Sequence, residues 1–106
     1  MNRDIIELLS ALEAELNQLG LWSSLPPSDQ AMRSTLPFCY DTMPLQQWLQ
    51  FIFIPRLQLM MAAAMPLPTK ISMLPIAEEA FKSYGSRATT LLNIIAQIDS
   101  TLTGDA

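Results

Sequence analysis

The chain has 106 residues, 50% of them apolar and 15% charged, with ten acids against six bases and a formal charge of −4. That length points to one domain, residues 1–106, with enough core to fold without metal or disulfide. The cations Arg3, Arg33, Arg56, Lys70, Lys82 and Arg87 are scattered, which argues against autonomous nucleic-acid binding, because neutralising phosphates takes clustered basic residues.

The opening stretch, MNRDIIELLSALEAEL, carries acids through its apolar periodicity and does not read as a signal peptide. Asn2 or Asp4 can open a helix in which Ile5, Leu9, Leu12, Leu16 and Leu19 recur at steps of four and three. Gly20 follows, where a left-handed stop costs least, so the first helix is predicted over 2–19. Residues 21–37 read as a loop in which Trp22 and Leu25 tuck against the core. After Pro26-Pro27, Ser28 is placed to cap one or two turns over 29–34, with Ala31 or Met32 facing inward.

The central element is predicted over 43–65. Asp41-Thr42 offers a capping oxygen and Pro44 suits the first turn. Leu45, Trp48, Leu49 and Ile52 make a stripe that Leu57, Met60, Met61 and Ala64 resume. Pro55 cannot donate to the Phe51 carbonyl, so a kink above about 20° or a break is expected there. Residues 48–67 are about long enough to cross a bilayer. Their leucines, isoleucines and phenylalanines favour insertion by roughly 2–4 kcal/mol, and Arg56 alone opposes it by about 2.5–3.5 kcal/mol. Gln50, Gln58 and Pro55 add further cost, so a water-soluble core helix is expected.

Pro75 suits the start of a third helix, whose dipole Glu78 and Glu79 would complement. Ala77, Ala80, Phe81 and Tyr84 form its apolar face, and Gly85 ends it. Ser86 is read as the cap of a fourth helix with Ala88, Leu91, Ile95, Ile98 and Leu102 inward. Residues 103–106 are expected to fray. These elements predict an all-α fold: an antiparallel four-helix bundle with a Pro-kinked central helix and one short extra helix.

The run FCYDTMPLQQWLQFIFIPRL, with the later LPIAEEAFK, resembles the YqcC-like domain family over nearly the whole chain. The resemblance implies a small bacterial all-α domain without established activity, often encoded beside a tRNA pseudouridine synthase. Such synthases resemble one another in an Arg-Leu-Asp element on a larger α/β fold. Here Arg56-Leu57 is followed by Gln58, which lacks the carboxylate.

No enzyme is therefore expected, and no cofactor. The sequence contains no histidine, the commonest general base and metal ligand. Glu78 and Glu79 are adjacent in a helix and diverge. Cys39, the single cysteine, lacks a thiol or imidazole companion and reads as a core residue. Arg56, close to the apolar stripe, needs a counter-ion, and Asp41, Glu78 or Glu79 could supply it. Asp41, Trp48, Gln50, Arg56 and Met60 are the candidate contact residues, because Trp and Arg anchor interfaces and Met adapts to partners. The function expected is a non-catalytic, cytoplasmic interaction module. Its partner would be a tRNA pseudouridine synthase or a second copy of the chain. The alternative is a small-molecule or lipid binder with a pocket near Met60 and Phe53, where Pro55 opens the bundle.

Overall fold

The computed structural model describes residues 2–39 and 41–104, whose regular structure is helical, with no strand among them. Helix α1 (Asn2–Gln18) buries Ile5, Leu9, Leu12 and Leu16. Its main neighbour is α6 (Thr89–Thr103), which turns Leu91, Ile94, Ile95, Ile98 and Leu102 inward. Both stripes follow the 3–4 spacing of the sequence, so the first and last helices turn apolar faces into one core that the other helices complete. Gly20, at φ 74°, ends α1. The Leu21 amide donates to the Leu16 carbonyl (2.8 Å) and Gly20 to Asn17 (3.1 Å), a Schellman closure that satisfies two otherwise unpaired carbonyls.

Helix α2 (Asp29–Met32) is capped by Ser28, whose Oγ accepts from the Ala31 amide at 3.1 Å. Trp22 packs against the core, but Leu25 is 76% exposed, and Met32 also faces outward. The expected Asp41-Thr42 cap goes elsewhere. Ser34 Oγ donates to Asp41 and Thr42 Oγ1 donates to the Ala31 carbonyl (2.7 Å), so these residues tie α2 to the chain before α3. Helix α3 (Leu45–Trp48) starts instead from Pro44, extended at φ −67°, ψ 156°, with no side-chain cap.

Between α3 and α4 (Ile54–Ala62) lies a π-turn, Leu49–Phe53, and the backbone stays helical on both sides of it and through Pro55. Pro55 has no N–H to place in the ladder, and a wider turn just upstream accommodates that gap. The turn inserts one residue into the helical count, which rotates the inward stripe by about 100°. Leu45 faces the core before it, Leu49 and Phe53 within it, and Ile54 and Leu57 after it, while Ile52 is half-buried. The same rotation carries Arg56 out to solvent. Its expected ion pair does not form. Among the described residues the salt bridge is Lys82–Glu79 at 3.6 Å, and Arg56 reaches none of Asp41, Glu78 and Glu79.

Helix α4 ends as α1 does, with Met65 donating to Met60 (2.8 Å) and Ala64 to Met61 (3.1 Å). Here the left-handed position, φ 55°, is held by an alanine. Helix α5 (Leu74–Ala80) packs on α6 through buried Met73, Ala77 and Phe81. Glu78 and Glu79 fall in its last turn, away from the positive end of the dipole they were expected to meet. That end is met from α6: Asp99 accepts from Met73 N–H (2.9 and 2.8 Å) and from Leu74 N–H (2.8 Å).

A 3-10 segment, Lys82–Ala88, follows, reversed at Gly85 (φ 58°, ψ −134°). There Arg87 lies 5.5 Å from the Tyr84 ring centroid, and Tyr84 meets Phe81 edge-on at 6.0 Å. Ser86 caps nothing; α6 begins after Ala88 without a side-chain cap. Of the tail expected to fray, Thr103 is inside α6 with its hydroxyl on the Asp99 carbonyl at 2.9 Å; residues 105–106 lie outside the described part. No helix of the described residues is long and apolar enough to cross a membrane.

Candidate functional site

The entry to α3 and the outer side of α5 enclose a half-open hollow of about 290 Å³. Phe38, Met43, Pro44, Leu45, Ile76 and Ala80 line it, and the Gln46 side chain is its one polar member. The chain reaches it through a 3-10 turn, Pro37–Cys39, in which Phe38 (φ 58°) and Cys39 (φ 49°) are both left-handed. Two such residues in succession cost about 1–2 kcal/mol each. The surroundings hold them there. The Cys39 carbonyl accepts from the Thr42 and Met43 amides, each at 3.0 Å, and the Cys39 side chain is buried. The Phe38 ring meets Trp48 edge-on at 4.9 Å, and Trp48 stacks on Phe53 at 5.4 Å. This aromatic column runs from the hollow to the core, so the position of the hollow's wall is fixed by packing.

Gln50 sits in the π-turn, 7% exposed. Its Oε1 accepts from the Ser23 amide and its Nε2 donates to the Ser23 carbonyl, both at 2.8 Å. One buried side chain thus satisfies both backbone groups of a loop residue and pins the Trp22 loop across α3.

The five candidate contact residues do not form one cluster. Trp48 stands behind Phe38 at the hollow and Asp41 is at the surface before Met43, whereas Gln50 is committed to Ser23. Arg56 is exposed on α4, and Met60 is half-buried against the core. The hollow opens at Phe38 and Met43, not beside Met60 and Phe53 where a pocket was expected. Sequence reasoning missed Ile76 and Ala80 as wall residues. Their spacing of four is a signal, since it sets a second apolar line beside the Met73-Ala77-Phe81 core line of α5. Asp99 was missed as well, although it is the single acid of α6 and sits between inward Ile98 and Leu102.

Fold and surface together define a small all-helical domain with an apolar hollow, and among the described residues no group of His, Cys, Asp and Glu is arranged to hold a metal ion. The chain belongs to the DUF446 family, whose model matches residues 4–101 and carries the description tRNA pseudouridine synthase C. It is similar to an uncharacterised protein of Haemophilus influenzae, 39% identical over 88 residues and 83% of each chain. It is also similar to the uncharacterised protein YqcC of Escherichia coli, 32% identical over 98 residues, 92% of this chain and 90% of that one. The solution structure of E. coli YqcC superposes with a TM-score of 0.81 at 31% identity, covering 93% of this chain and 85% of that one. A shorter match joins 57 residues, 54% of this chain, to 15% of a protein of Pectobacterium carotovorum named tRNA pseudouridine synthase C, at 37% identity.

Proposed function

We propose that the chain is a non-catalytic helical interaction module that serves tRNA pseudouridylation in the cytoplasm by contacting a pseudouridine synthase. The observation that carries this reading is the match to 15% of a protein named as such a synthase. A segment related to this small fold accompanies a much larger remainder there, and a module found within a longer chain in one organism is suited to meeting that remainder as a separate partner in another. The apolar hollow supplies surface for the contact, and the histidine-free composition supplies little for catalysis. An antiparallel four-helix arrangement, bent near Pro55, is the scaffold this reading assumes.

A small-molecule or lipid binder is the less favoured reading, because the hollow is half-open and at the foot of the range of about 300–1,000 Å³ that encloses drug-sized ligands. The test is affinity purification of the chain from its native cytoplasm at natural abundance. Stoichiometric recovery of the synthase is the expected result. Recovery of a lone monomer, or turnover of tRNA uridine by the chain alone, refutes the proposal.

A further inference from the structure

Resting on that interaction reading, we infer that the loop Leu25-Pro26-Pro27 is a docking peptide built into the chain, received by a groove of the partner that is lined with aromatic side chains. The segment from Ser23 to Leu36 holds no buried residue, so sealing the core is not its role. It is nevertheless fixed at both ends. Buried Gln50 takes both backbone groups of Ser23 at 2.8 Å. The Ser23 hydroxyl in turn donates to the Leu25 carbonyl (2.8 Å) and accepts from the Leu25 amide (3.2 Å). On the far side Ser28 caps α2, and Thr42 ties α2 to the chain before α3. An exposed leucine alone is ordinary. Leu25 differs, because its backbone is bonded through Ser23 and Gln50 to the core while its side chain is left in solvent.

The backbone conformation selects the receiver. Leu25 and Pro26 each precede a proline, which keeps their ψ extended, and both rings hold φ near about −65°. Ser28 continues the run at φ −64°, ψ 156°. Residues 26–28 therefore form a short polyproline II stretch, which has no internal hydrogen bonds. With Leu25 at its head, it offers ring faces and an aliphatic side chain, and the prolines contribute no N–H. Grooves that take up such a stretch are lined by aromatic side chains, on whose faces the pyrrolidine rings rest. The composition agrees: no ionisable residue stands between Glu15 and Asp29, so the contact is made by burial and not by charge. Prolines and hydrogen bonds have already ordered the segment, so little freedom is lost on docking.

Two measurements on the full chain and the purified synthase test this. In the first, carbon-13-labelled chain is titrated with the synthase and followed by NMR. The Leu25 methyl signals and the Pro26 and Pro27 ring signals should move upfield, as protons do when set over aromatic faces. In the second, titration calorimetry compares variants. Leu25→Ser should weaken binding by roughly tenfold or more, as loss of one interface anchor does. Pro26→Ala combined with Pro27→Ala should weaken it several-fold. Circular dichroism separates loss of contact from loss of fold, and the NMR titration needs no variant at all. Wild-type affinity in Leu25→Ser overturns the docking peptide while leaving the interaction module intact. Binding without the upfield shifts overturns the aromatic groove. Failure of the unaltered chain to bind the synthase removes both inferences.

Discussion

Replacing Asp99 by alanine is the most informative single perturbation of the fold. Its carboxylate takes three hydrogen bonds of 2.8–2.9 Å from two consecutive amides at the start of α5. Met73, one of the two donors, is 0% exposed, so water cannot easily replace the lost acceptor at its amide. Removal of an ordinary helix cap costs about 0.5–2 kcal/mol, and a hydrogen bond to a charged group is worth about 1.5–3 kcal/mol net. With two donors left unpaired and the dipole uncompensated, the loss should reach about 2–4 kcal/mol. For a chain of this size that lowers Tm by about 8–32 °C at 4–8 °C per kcal/mol. Asp99→Asn, which keeps the shape but offers one oxygen and turns an amide NH2 donor toward the backbone N–H groups, should fall between. Urea unfolding followed by circular dichroism gives the difference. Hydrogen exchange should show α5 amides opening before those of α1 and α6. A loss under about 0.5 kcal/mol in Asp99→Ala, or uniform exchange, would refute the idea that α6 holds α5 through this carboxylate.

Ala64→Gly should raise stability by about 0.5–1 kcal/mol, because glycine takes φ 55° without the steric cost alanine bears there; a lower Tm contradicts it. Gln50→Leu strands both backbone groups of Ser23 and should cost about 1–3 kcal/mol, with faster hydrogen exchange confined at first to residues 21–25. Arg56→Met should shift stability by less than about 0.5 kcal/mol, as expected of an exposed side chain without an ion pair. A large loss of stability in urea would mean that Arg56 has a structural partner after all.

The parts of the fold set by one helix's own period were legible in the sequence. The stripes Ile5-Leu9-Leu12-Leu16 and Leu91-Ile95-Ile98-Leu102 are both buried, and the stop at Gly20 takes a left-handed φ. What escaped depends on a change of phase or on a distant partner. Phe51 to Ile54 are apolar around the whole helix, so no period marks where the π-turn shifts the count, and Arg56 was assigned to the wrong side as a result. Asp99 lies 25 residues from Leu74, and local capping rules do not reach that far. The hollow was half legible. Trp48 was singled out, but Phe38 and Cys39 adopt a conformation their own side chains disfavour, imposed by tertiary packing.

The pairing of α1 with α6 also bears on how the chain emerges during synthesis. Ile5, Leu9, Leu12 and Leu16 leave the ribosome early, yet most of their counterparts arrive only with residues 91–102. Until then the nascent polypeptide carries an uncovered greasy strip, the kind of surface chaperones bind. Transcripts cut short before residue 89 should yield fragments that are degraded or aggregate, so intact message matters more to this protein than its small size suggests.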